Sequence, residues 1–137
     1  MRARRWPSER RIPMWKFLTG RVRSFGYAFR GIWTMLRSQR NAWIHALATG
    51  LVVGAGLALH LSADDWKWLV LALVSVWGAE ALNTALELLA DAAKPEFHPL
   101  VKQAKDVAAG AVLIAAICAA IIGALVLGPP LAAWLRG

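Results

Sequence analysis

Acidic residues are scarce in this chain: eight Asp and Glu stand against sixteen Lys and Arg over 137 residues, for a formal charge of +8. Up to residue 42 the only acid is Glu9, while eleven of the sixteen cations lie there. There is one cysteine, Cys118, inside an apolar run, so no internal disulfide can form; it reads as a small hydrophobe. No Gly-rich phosphate-binding loop of the Walker type is present, so any nucleotide site must be built another way. The Arg- and Pro-rich first thirteen residues lead into no apolar h-region, which argues against a cleaved signal peptide. No internal repeat or low-complexity segment breaks the chain.

Apolar residues, by contrast, are abundant. The chain is 58% hydrophobic, with a mean hydropathy of +0.48 and a pI near 10.9. Such a charge would suit nucleic-acid binding in a soluble domain. Here the cations instead form an arm ahead of apolar spans, which fits an anionic membrane face and excludes nucleic acid as the expected partner.

The pattern predicts an all-α membrane protein with an N-terminal amphipathic surface helix plus three transmembrane helices. Residues 1–13 read as a disordered basic tail and 14–137 as a single domain. Over 14–39, Trp15, Leu18, Val22, Phe25, Phe29, Ile32, Trp33 and Leu36 recur at spacings of three and four. The Arg residues fall mostly elsewhere, as in a helix lying in the interface. Gly20, Gly26 and Gly31 weigh against one uninterrupted helix. Apolar spans follow at about 42–61, 66–92 and 107–127, each long enough for a hydrocarbon core of roughly 30 Å. Asp64 and Asp65 are placed to cap the second span, and Trp66 and Trp68 to anchor it at the interface. A loop of about a dozen residues, 93–104, precedes the third, and Gly128-Pro129-Pro130 is expected to end or kink it. The positive-inside rule puts the N-terminus and the 93–104 loop in the cytoplasm and the Asp64-Asp65 turn outside.

The second span carries the residues with chemistry. Glu80, Asn83, Thr84, Glu87 and Asp91 follow i, i+3, i+4, i+7 and i+11, one face of a helix. Carboxylates are costly in lipid, so this face should line a protein interior or a wet site. Phosphoryl transfer needs a cation held by carboxylates, a positive group at the phosphates and a base at the attacking hydroxyl. Glu87, nearer the water side, suits a Mg2+ ligand. Glu80, about 10 Å deeper at about 1.5 Å per residue, suits a general base for a lipid hydroxyl, with Asn83 orienting either carboxylate. Lys105 can meet phosphate; Asp106 can meet the metal, a nucleoside hydroxyl or Lys105. Plainer roles stand beside these. Glu80 and Glu87 can be structural acids paired with arginines, Asp91 a helix-end residue, His98 a loop-fixing hydrogen bonder, His45 structural and His60 interfacial.

The segments Glu80-Ala-Leu-Asn83-Thr84-Ala-Leu-Glu87, Pro95-Glu96-Phe97-His98-Pro99-Leu100 and Ala104-Lys105-Asp106-Val107-Ala108-Ala109-Gly110-Ala111-Val112-Leu113 together resemble the prokaryotic diacylglycerol kinase / undecaprenol kinase family. The likeness continues upstream through Phe25-Gly26-Tyr27-Ala28-Phe29-Arg30-Gly31 and Asn41-Ala42-Trp43-Ile44-His45 and covers about 20–127. It implies a small integral lipid kinase of the bacterial inner membrane that uses ATP and Mg2+. It also implies a homotrimer with sites between subunits. By the resemblance Glu80 is the base, Asn83 supports it, Glu87 binds metal, and Tyr27, His98, Lys105 and Asp106 contact the nucleotide. One position departs from the pattern: Gln39 stands where the family usually has a metal-binding glutamate. Its carbonyl oxygen carries no charge, so it should weaken cation binding, shift the metal requirement or leave Glu87 as main ligand.

The forms Ile44-His45 and Pro95–Leu100 favour undecaprenol as acceptor, with diacylglycerol, giving phosphatidic acid, as the alternative. The rival from another class is a non-catalytic membrane scaffold or transporter subunit using the polar stripe for helix association or ion passage. The Lys105-Asp106 pair beside a cytoplasmic loop favours the kinase.

Overall fold

The computed structural model describes residues 14–136, with side chains from 21 onward apart from Arg40. The expected basic tail, 1–13, lies outside the described residues. Four helices follow in order: α1 Met14–Ser38, α2 Arg40–Ala58, α3 Ala63–Ala93 and α4 Pro99–Leu135. The chain divides into two units, Met1–Trp33 and Thr34–Gly137.

In the first unit α1 runs on through Gly20, Gly26 and Gly31 without a break. Each glycine costs a helix about 1 kcal/mol relative to alanine, which is not enough to interrupt it. Val22, Phe25, Phe29, Ile32 and Trp33 are exposed on this helix, the arrangement expected of an apolar stripe facing lipid. Arg30 sets its guanidinium 4.8 Å from the centre of the Tyr27 ring, a cation–π contact one turn away.

In the second unit α3 packs chiefly on α4, and α2 lies against both. All three are long and apolar enough to cross a membrane, and the protein is a membrane protein with an all-α fold. The buried apolar set is small: Met35, Ala42, Leu69, Ala72, Val76 and Val112. Most large aliphatic side chains point outward, which helices that span a membrane tolerate.

The junctions differ from expectation in instructive ways. Gln39 alone separates α1 from α2, in extended conformation with φ −114° and ψ 121°. The first span ends at Ala58 because the chain turns there. His60 takes φ 51°, Leu61 N–H donates to the Gly56 carbonyl and His60 N–H to that of Leu57, the hydrogen-bond pair of a Schellman ending. Gly56 admits Trp66 at this corner; a Cβ would lie 3.0 Å from the indole. Trp66 is thus half-buried against α2, whereas Trp68 stays exposed. The cap of α3 is Ser62, not Asp64: Ser62 and Asp65 bond each other's backbone N–H in a reciprocal capping box.

The expected dozen-residue loop is shorter, 94–98, since α4 begins at Pro99. Proline is preorganised for the first helical position, where its missing N–H is not needed. Lys102, Lys105 and Asp106 therefore sit on helix rather than at a loop's edge. Nor do Pro129 and Pro130 end α4, which continues to Leu135. Near a helix end two prolines remove only the rungs to the carbonyls four residues back, a loss that membrane helices tolerate.

Candidate functional site

Along α3 the polar stripe is buried by degrees. Glu80 is 0%, Asn83 5% and Thr84 3% exposed, Glu87 is half-buried and Asp91 exposed. The 3.6-residue period places them on one face, and that face meets α2 and α4. A cavity of about 230 Å³ with a mixed polar and aliphatic wall lies there, lined by Asn41, Ile44 and His45 from α2, Glu80, Asn83 and Glu87 from α3, and Ala109, Val112, Leu113 and Ala116 from α4.

Two carboxylates face it in different states. Glu87 is held on both oxygens: Gln39 Nε2 donates to Oε2 at 2.6 Å and Asn83 Nδ2 to Oε1 at 3.1 Å. Glu80 keeps both carboxylate oxygens without a hydrogen-bond partner among the described residues, as are Asn83 Oδ1 and His45 Nε2. His45 Nε2 lies 3.8 Å from Glu80 Oε2, within ion-pair reach but beyond a hydrogen bond. Thr84 does not serve the carboxylate; its hydroxyl donates to the Glu80 backbone carbonyl.

His45 also borders a second, larger cavity of about 440 Å³ between the same three helices. Its wall is aliphatic apart from His45 and Thr49, and small residues of α4 such as Ala116, Ala120 and Gly123 give it width. The Thr49 hydroxyl is already engaged, donating to the His45 carbonyl at 2.7 Å and accepting from Trp77 Nε1 at 3.1 Å. Ala116 and His45 line both cavities, so an apolar slot adjoins the carboxylate pocket.

Gln39, Glu80, Asn83 and Glu87 are thus brought together. Lys105 pairs with Asp91 across α3 and α4, and Asp106 pairs with Lys102 one turn back on α4. Of the partners open to Asp106 in the sequence, Lys105 is not the one it takes. His98 is the N-cap of α4, though its side chain makes no cap bond. Tyr27 belongs to the first unit, exposed beneath Arg30. Asn41 and Ile44, used in the sequence only as part of the family resemblance, also line the pocket. Their signal was there: positions 41, 44, 45, 48 and 49 share one face of α2.

The donor set also bears on magnesium. Among the described residues no three His, Cys, Asp or Glu gather as a metal centre, so there is no all-protein cage. Magnesium does not require one: it commonly keeps several waters and takes one or two carboxylates. The buried Asn83 Oδ1, without a partner among the described residues and beside the Glu87 carboxylate, fits a hard cation.

Residues 26–127 match the family model described as prokaryotic diacylglycerol kinase. The chain is 41% identical over 109 residues to the undecaprenol kinase of Bacillus subtilis (strain 168), covering 80% of this chain and 89% of that one. It is 42% identical over 118 residues to a diacylglycerol kinase of Synechocystis sp., covering 85% and 67% respectively. With the diacylglycerol kinase of Escherichia coli (strain K12) identity is 31% over 113 residues, covering 77% and 87%. The chain belongs to the prokaryotic diacylglycerol kinase family, and by that membership it is a lipid kinase.

Proposed function

We propose that the protein transfers the γ-phosphate of ATP to the hydroxyl of a membrane lipid alcohol, undecaprenol in the first instance. The observation that carries this is Glu80: a carboxylate removed from water, its oxygens free, on the wall of a pocket that opens toward an aliphatic slot. A lipid laid along the slot brings its hydroxyl to Glu80, which accepts the proton as the oxygen attacks the γ-phosphorus and the bond to ADP breaks. Glu87, braced by Asn83, with Gln39 turned to present its carbonyl, would hold Mg2+. Bound there, the ion offsets charge on the transferring phosphoryl group. Lys105, released in part from Asp91, meets the phosphates, and Asp106 and His98 add nucleotide contacts; Tyr27 is proposed as a nucleotide contact on the family resemblance alone.

Undecaprenol is favoured by the likeness to the Bacillus subtilis undecaprenol kinase, which spans 80% of this chain and 89% of that one. Diacylglycerol is the second reading, because the Synechocystis relative of that name is as similar in identity. Both tails are apolar, so the slot suits either. On this reading the protein lies in the inner membrane with its N-terminus and nucleotide pocket in the cytoplasm, as the basic N-terminal arm favours. Assembly as a homotrimer with sites between subunits rests on the family resemblance, and chemical cross-linking in membranes tests it.

The deciding experiment gives membranes containing the protein ATP, magnesium and, separately, undecaprenol and a diacylglycerol. Phosphorylation of undecaprenol at the higher kcat/KM is expected. A preference for diacylglycerol reverses the assignment of substrate, and no phosphorylated lipid at any magnesium level sinks the kinase reading.

A further inference from the structure

We propose that His45 anchors the acceptor lipid by its hydroxyl. Its Nε2–H donates to the hydroxyl oxygen, the hydroxyl donates its own proton to Glu80, and the lipid tail lies in the aliphatic slot. The inference rests on the reading of the protein as a lipid kinase with Glu80 at the acceptor, and adds what holds the acceptor there and which way it lies.

Two cavities meet at His45. The carboxylate pocket and the aliphatic slot share its side chain and Ala116, so a molecule that spans both passes the imidazole. Glu80 lines the pocket but not the slot. On α3 the slot follows Leu69, Ala72, Leu73 and Val76, all ahead of Glu80. Leu69 stands about 16 Å along the helix from Glu80, at about 1.5 Å per residue. A tail in the slot therefore runs away from the Glu87 end of the stripe, and its polar end comes up between His45 and Glu80.

The other polar groups near that junction are engaged or stand apart. The Thr49 hydroxyl donates to the His45 carbonyl and accepts from Trp77 Nε1. The Thr84 hydroxyl donates to the Glu80 carbonyl, and the Asn83 amide nitrogen is turned to Glu87. Asn41 is exposed and lines only the pocket. By contrast, His45 Nε2 and both Glu80 carboxylate oxygens are buried without a hydrogen-bond partner among the described residues. His45 Nε2 and Glu80 Oε2 lie 3.8 Å apart. That is too far for them to bond each other and close enough for one oxygen to reach both at about 2.8 Å. A hydroxyl suits the gap because it accepts on a lone pair and donates with its proton. A neutral imidazole carrying its proton on Nε2 supplies the donor, and the carboxylate supplies the acceptor. One alcohol thus satisfies two buried groups that are costly to leave unmatched. A hydrocarbon of the same shape satisfies neither, which is how a buried polar site selects for a hydroxyl.

The ring is held for this task without using Nε2. The Trp77 indole meets it edge-on, with centroids 6.4 Å apart and planes at 69°. Through Thr49 the same indole is tied to the His45 backbone.

The test uses the full chain in lipid nanodiscs without ATP, and reads displacement of a radiolabelled short prenol. The competitors are the unlabelled prenol and the same chain with hydrogen in place of its hydroxyl. The parent should prefer the alcohol. In His45→Leu that preference should shrink by about three- to tenfold, the worth of one hydrogen bond, while the hydrocarbon binds at least as well. His45→Gln, which keeps a donor, should retain most of the preference, and ATP affinity should change by less than about twofold in both variants. Partitioning into the bilayer is common to parent and variants and cancels. The anchor is overturned if the parent shows no preference, if His45→Leu keeps it, or if alcohol and hydrocarbon weaken together, which marks a packing role. Turnover is read separately. A prenol preference that depends on His45 in a protein that phosphorylates no lipid removes the kinase reading and leaves an alcohol site, whereas phosphorylation by a His45→Leu variant with its preference intact removes the anchor alone.

Discussion

Glu80 and Glu87 lie seven residues apart on one face of one helix, yet the fold treats them in opposite ways. Glu87 sits at the half-open end, each oxygen matched by an amide proton from Gln39 or Asn83. Glu80 is enclosed and its oxygens are unmatched among the described residues. A buried polar group without a partner is costly, by roughly 1–3 kcal/mol or more if charged. Structural carboxylates are therefore surrounded by donors, as Glu87 is. A carboxylate left unmatched has kept its capacity to accept for something that arrives later, and departures from local satisfaction concentrate at functional sites. The pair teaches a division of labour: one end of the stripe is preorganised to hold, the other to react.

The sharpest way to break that division is Glu80→Gln, which keeps shape and removes basicity. On the proposed reading turnover falls by about 10²- to 10⁴-fold, while ATP binding, followed by a labelled nucleotide, survives because the other end is untouched. Turnover within a factor of a few of the parent would mean that both carboxylates are structural. Gln39→Glu sharpens the other end. It places a second charge beside Glu87, where a neutral amide now donates at 2.6 Å. More ligand charge raises affinity for a hard cation, so the magnesium concentration for half-maximal rate should fall by about three- to tenfold. The two adjacent carboxylates should also make the variant's thermal stability depend more steeply on magnesium. An unchanged requirement would place Gln39 outside the ion's reach.

How much of this was readable in advance follows from the range of each signal. The stripe and its face were legible because five polar residues at helical spacing stand out in an aliphatic run, and the graded burial from Glu80 to Asp91 agrees with the depth expected. The spans were legible from their length. The ends were not, because Pro99 was read as part of a loop and Pro129 and Pro130 as ending or kinking the third span. Proline is neutral at a helix's first residue and costs little more than two rungs near its end, and only the surroundings decide which applies. Ser62 lost its role as cap to Asp64 and Asp65 in the sequence, since a capping box depends on which residue adopts extended backbone. The Gln39–Glu87 bond across 48 residues was within reach only through the resemblance, which puts both positions at the metal; no periodicity runs from the junction before α2 to α3. Least legible was the His45–Trp77–Thr49 cluster, whose members are each unremarkable alone.

The smallest effect expected is at the exposed end of the stripe, and it probes whether holding there is static. Asp91 pairs with Lys105, with Asp91 67% and Lys105 32% exposed. Pairs open to water contribute only about 0.2–1 kcal/mol, so the contact is weak enough to yield to a polyphosphate carrying several charges. In the absence of nucleotide it still competes for the ammonium. Asp91→Asn removes the competitor and leaves Lys105 free to meet phosphate. The KM for ATP should fall by less than about fivefold, the ceiling set by that energy, with kcat unchanged and the effect shrinking as salt is raised. A rise in KM instead would mean that Asp91 aims Lys105 rather than competing for it, and the exposed end of the stripe would then be as preorganised for binding as the Glu87 site above it.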